Sequence, residues 1–71
     1  MLIERFEELK SLYNIIVEEG EVNPNRLLGI GEMVADIEEL IEENELYYRV
    51  NQLTNMLNIL EKNIYDAVIG R

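Results

Sequence analysis

Ser11 and Thr54 are the only serine and threonine in the chain, and there is no histidine and no cysteine. Neither a Ser-His-Asp nor a Cys-His arrangement can be assembled from such a set. A zinc clip and a disulfide framework fail on the same ground. Ser11 stands between a lysine and a leucine in a helical stretch and reads as solvated. What remains is carboxylate chemistry. It is concentrated in GEMVADIEELIEENE, Gly31 to Glu45, which holds seven acids and not one base.

Within that segment EELIE, Glu38 to Glu42, resembles the EExxE motif of helical, magnesium-dependent nucleotide pyrophosphohydrolases of the MazG type. The resemblance covers five residues and implies magnesium held by Glu38, Glu39 and Glu42. Those enzymes pair this helix with an ExxD motif on the following one. Here Ile64 stands three residues after Glu61 and Asp66 is out of phase, so the site has no second wall. We therefore expect a chain that is not an enzyme and takes no metal and no cofactor. Its size and acidity are also similar to those of acyl carrier proteins. The stretch LLGIGEM lacks the serine that carries their prosthetic arm, and that family is set aside.

The acids themselves are the stronger signal. On a helical wheel Glu32, Asp36, Glu38, Glu39, Glu42 and Glu43 spread over about half the cylinder, opposite Leu27, Ile30, Val34, Ile37 and Ile41. The pairs 32/36, 38/42 and 39/43 set like charges one turn apart, each costing about 0.2–0.5 kcal/mol. Glu42, Glu43 and Glu45 crowd a helix C-terminus, where the macrodipole disfavours anions. Local rules broken without local compensation point toward function. The first helix has two compensating bases, Arg5 and Lys10, and the region from Leu46 onward is near neutral. Seven charges along about 20 Å of helix give one per about 3 Å, close to the roughly 3.4 Å spacing of phosphates along one DNA strand. A nucleic-acid-binding protein could take such a face for phosphate.

These residues are positioned by three apolar stripes at heptad spacing: Leu2, Phe6, Leu9, Tyr13, Ile16; then Leu27, Ile30, Val34, Ile37, Ile41; then Leu46, Val50, Leu53, Leu57, Leu60, Ile64. Gly20 is a natural left-handed stop, and Asn23 with Pro24 forms a helix start. Gly29 and Gly31 either fray the start of the second helix or let another backbone approach closely, with Gly31 and Ala35 one turn apart. Nothing strong breaks the chain between Asn44 and Leu46, so one rod from Pro24 to Ile69 is an alternative. The phase favours a turn at EENE: the third stripe is shifted by about 200°, and only a turn lets both stripes share one core. The predicted helices run over about 2–19, 24–44 and 45–69.

Apolar residues exceed what those stripes need. Leu12, Ile15, Met33, Leu40, Tyr47 and Met56 are assigned to an oligomer interface. Tyr48 and Ile59, among Asn51, Asn55 and Asn58, are joined to the acidic set as a partner-binding surface.

The sequence thus predicts an all-α fold, a small three-helix bundle or helical hairpin, associating as a homodimer. Its 71 residues make one domain, too short to be stable without help of some kind. A net charge of −9 repels nucleic acid and anionic lipid, so neither is an expected partner. The start MLIERFEELK has no apolar signal region, no apolar run reaches the roughly 18 residues of a membrane span, and the lack of cysteine suits a reducing compartment. The expected location is the cytoplasm. The expected function is that of a small acidic regulator or inhibitor that docks on a basic protein surface in the manner of a nucleic-acid mimic. Small phage or mobile-element regulators share this character by analogy of class. A helical oligomerisation module with solubilising acids is the alternative, and a magnesium-dependent carboxylate enzyme the third.

Overall fold

The structure, a computed structural model, describes residues 1–20, 22–43 and 49–69. It contains three α-helices, α1 (Leu2–Glu19), α2 (Pro24–Glu42) and α3 (Val50–Ile69), and no strand among the described residues. All three pack together, which excludes the continuous rod.

Local chemistry sets the ends of the helices. Gly20 takes φ 67° and ψ 10°, and its N–H donates to the Ile16 carbonyl at 3.3 Å. A side chain is strained in that left-handed conformation, so glycine closes α1. The Asn23 side chain accepts the Asn25 N–H at 2.9 Å, and Pro24 occupies the first helical position of α2. There its missing N–H leaves no bond unmade. The expected turn around Asn44 and the expected early start of the third helix fall on residues 44–48, outside the described residues.

Tyr13 on α1 reaches Gly31 on α2, and Lys10 reaches Glu38. Rising numbers on α2 therefore pair with falling numbers on α1, and the two helices are antiparallel. Arg26 meets the Asp66 carbonyl at one end of the α2–α3 contact, while Leu40 and Glu43 lie with Arg49 and Gln52 at the other. These helices are antiparallel too, so α1 and α3 run parallel.

The core is wholly apolar; no polar or charged side chain among the described residues is buried. Phe6, Leu9 and Ile16 come from α1, Ile30, Val34 and Ile37 from α2, and Leu53, Leu57, Leu60 and Ile64 from α3. Leu2, Tyr13, Leu27 and Ile41 pack at its margin. Three of these placements differ from the simple stripes. Val50 is 46% exposed at the first position of α3. Val22, in the turn between α1 and α2, is buried. Leu40, assigned to an oligomer interface, is buried in the core, and Met33 and Met56, assigned with it, pack against the core. The reason is geometric. A single heptad stripe serves one neighbour, whereas α2 touches two helices and needs a wider apolar face. Met33 and Leu40 stand three residues after Ile30 and Ile37, which turns them toward α3.

The two glycines of α2 have different standings. A Cβ on Gly29 would meet nothing within 4 Å, while one on Gly31 would lie 2.8 Å from the Tyr13 hydroxyl oxygen. The helix is regular at both positions, so Gly31 serves close approach of a side chain and no fraying is seen. Gly29→Ala should therefore stabilise the fold by about 0.5–1 kcal/mol through helix propensity. Gly31→Ala should lose that gain, and recover it in a Tyr13→Phe background. Urea denaturation of wild type, the two glycine variants, Tyr13→Phe and the Tyr13→Phe, Gly31→Ala double variant checks this; equal gains at both glycines would show that Tyr13 yields freely.

Candidate functional site

The outward stripe of α2 is Leu28, Glu32, Ala35, Glu39 and Glu42, at helical steps of four and three. All five are exposed. Asp36 and Glu43 flank the stripe on the side toward α3. With Glu39 they rim an open groove whose lining continues through Leu40, Arg49, Gln52 and Met56. Ile59 is half-exposed one turn beyond Met56 on the same edge of α3. Carboxylates thus border a groove floored by a leucine and a methionine.

No base among the described residues lies within ion-pair distance of Glu32, Asp36, Glu39, Glu42 or Glu43. Arg49 is the one base in the groove lining. Glu38 stands apart. It turns toward α1, is half-buried, and forms an ion pair with Lys10. The hydrogen bond to Glu38, and next its charge, hold the Lys10 ammonium above its ordinary pKa; a smaller contribution comes from Glu7, and partial desolvation opposes them. The face presented outward therefore carries five carboxylates over about 17 Å, one per roughly 3–4 Å.

The bases of α1 do not compensate its own acids. Arg5 reaches across to α3, donating to Glu61 at 2.6 and 3.2 Å and to Asn58 at 2.8 Å, and Lys10 reaches α2. Both therefore tie helices together, and the two helices they reach are different. The magnesium site implied by EELIE does not assemble from these residues. Glu38 is engaged by Lys10, Glu61 by Arg5, and Ile64, where the second motif would need an acid, is buried in the core. Among the described residues no three acidic side chains converge closely enough to hold a metal ion. Thr54 donates its hydroxyl to the Val50 carbonyl of its own helix, and Ser11 is exposed.

The residues assigned in advance to two surfaces are distributed as follows. Glu32, Asp36, Glu39, Glu43 and Ile59 share one side of the bundle, formed by α2 and the adjoining edge of α3, whereas Glu42 lines the groove between α1 and α2 beside Lys10 and Glu38. Met56 and Leu40 belong to the floor of the same groove. Leu12 and Ile15 are about half-exposed on α1, away from it. Tyr47 and Tyr48 lie outside the described residues. Sequence reasoning passed over Leu28, Tyr65 and Val68, which are 64%, 64% and 44% exposed. Val68 falls just off a core stripe, while Leu28 and Tyr65 lie on outward stripes where spacing alone predicts polar residues.

Comparison with protein-family models, with curated proteins and with solved structures finds no match to this chain. No helix among the described residues is long and apolar enough to cross a membrane.

The Lys10–Glu38 pair makes a pH prediction. A lysine whose pKa is raised on folding stabilises the fold fully below its unfolded pKa, and loses that contribution as pH rises through the folded value. Wild type should therefore melt above Glu38→Gln at neutral pH, and the gap should close in the alkaline range. Thermal denaturation of both proteins from neutral to strongly alkaline pH tests this. A gap that stays constant assigns the effect of the substitution to packing.

Proposed function

We propose that this chain is a small non-catalytic binding protein that docks its α2 face on a basic, nucleic-acid-binding surface of a partner protein and occludes it. The observation that carries this reading is the groove in which Asp36, Glu39 and Glu43 border Leu40 and Met56. A cluster of exposed carboxylates steers a cationic surface from a distance and sets its orientation. The half-exposed Ile59 on the adjoining edge of α3 offers apolar contact that salt does not screen. A face kept only for solubility has no need of the second component. The partner is a basic protein; neither direct nucleic-acid binding nor membrane binding belongs to this reading. We further propose that the chain works as a homodimer in the cytoplasm. The exposed Leu12 and Ile15 on a bundle this small support the dimer.

Affinity capture from the source cell extract at low and high salt, with the captured proteins identified, provides the partner. Association rates then discriminate. Glu39→Gln with Glu43→Gln should slow association several-fold and leave the helix intact, because it removes a like-charge pair. Glu4→Gln with Glu8→Gln, on α1, should slow it less. Equal slowing by both pairs would mean that bulk charge alone attracts the partner. No slowing by either would make the acids a solubilising coat.

A further inference from the structure

We infer that the second copy of the chain docks on the α1/α3 side of the bundle, so that the dimer carries two α2 faces pointing away from each other. This rests on the proposed self-association and adds where it occurs. The outward stripe of α3 runs Asn51, Asn55, Asn58, Lys62, Tyr65, Ile69 at steps of four and three, all exposed and without an acid. Next to it, Arg5 fixes how α1 lies against α3 through Asn58 and Glu61. Leu12 stands two turns beyond Arg5 on the same edge of α1, with Ile15 following. Tyr65 and Val68 stand one and two turns beyond Glu61 on the facing edge of α3. The two edges continue each other as one apolar strip.

Size, charge and chemistry indicate that a second copy covers this strip. Leu12, Ile15, Tyr65, Val68 and Ile69 are between 44% and 66% exposed. At ordinary side-chain areas they offer roughly 500 Å², the apolar share of a standard interface burying about 800 Å² per partner. The charge of the molecule is segregated. On α2 five acids stand with the single base Arg26 and on α1 five acids stand with Arg5 and Lys10, whereas the charges of α3 are only Glu61, Asp66 and Lys62, with Glu61 paired to Arg5. A copy carrying the same −9 is repelled from the acids of α1 and α2 and can approach over the outward stripe of α3, where the acids are fewest. Asparagine amides both donate and accept. Asn51, Asn55 and Asn58 can therefore bond to their own copies across a symmetric contact. A strongly basic partner, by contrast, finds no acid to attract it on the α3 stripe.

Sedimentation equilibrium at micromolar concentration, paired with circular dichroism, tests the assignment. Wild type should sediment at twice the 8.3 kDa chain mass. Leu12→Glu and Tyr65→Glu should halve that mass with helicity retained, and Glu39→Gln with Glu43→Gln should leave it unchanged. Should the glutamate variants fail to fold, single cysteines decide, since the chain has none of its own. Lys62→Cys should form a disulfide-linked dimer on mild oxidation, and Ala35→Cys, on the outward face of α2, should not. A wild type that sediments as a monomer overturns self-association and this inference with it. A dimer that survives Tyr65→Glu, or that cross-links through Ala35→Cys and not Lys62→Cys, leaves self-association standing and overturns the α1/α3 assignment.

Discussion

The stripe of α3 is the constraint on which the fold depends. Leu53, Leu57 and Leu60 are completely buried, and Ile64 and Ala67 nearly so. A chain with no disulfide and no buried polar side chain among its described residues has little beyond apolar contact to hold it. Its stability is confined to this seam, against which α1 and α2 close from either side. Truncating a leucine such as Leu57 removes contacts to both neighbours at once, where losses of about 2–5 kcal/mol are usual. For a domain of this size that is a large part of the whole.

Because the core uses only apolar groups, every charge is left at the surface, and the helices sort the charges between them. Arg5 and Lys10 are spent on holding α1 to α3 and to α2. That arrangement leaves α2 with a run of carboxylates that no described base answers, and leaves α3 close to neutral. The two sides of one small bundle thus differ in what they can attract. One draws cations from a distance through its field. The other offers amides and apolar atoms, which act only on contact. A dimer formed through the second side would present the first side twice, and so could engage two basic surfaces or one that is itself two-fold symmetric.

The wholly apolar core also bears on chemistry. Enzymes that rely on carboxylates commonly shift their pKa values by burial or hold them together around a metal. In this bundle the would-be ligands Glu38 and Glu61 face different edges of α1 and are each tied to a base.

The sequence by itself determined the three helices, the stop at Gly20, the start at Asn23–Pro24 and most of the core. Heptad spacing at Phe6, Leu9 and Ile16, or at Leu53, Leu57 and Leu60, allows only one helix face to be apolar. Gly20 and Asn23–Pro24 act through their own backbone and side-chain geometry, which no distant contact is needed to specify. The acidic set on α2 was legible for the same reason, since residues on one helix face are fixed by periodicity alone. Only the tertiary structure decided what lies between helices. Leu40, Met33 and Met56 are apolar residues off the stripe, and spacing cannot tell an exposed flank from one that a second neighbour covers. Glu38 looked equivalent to Glu39, yet one turns to Lys10 and the other to solvent, because α1 lies against only one edge of α2. Gly31 could not be told from Gly29 until Tyr13 was placed beside it. Each of these distinctions depends on the direction from which another helix approaches, and the period of a single helix does not record that direction.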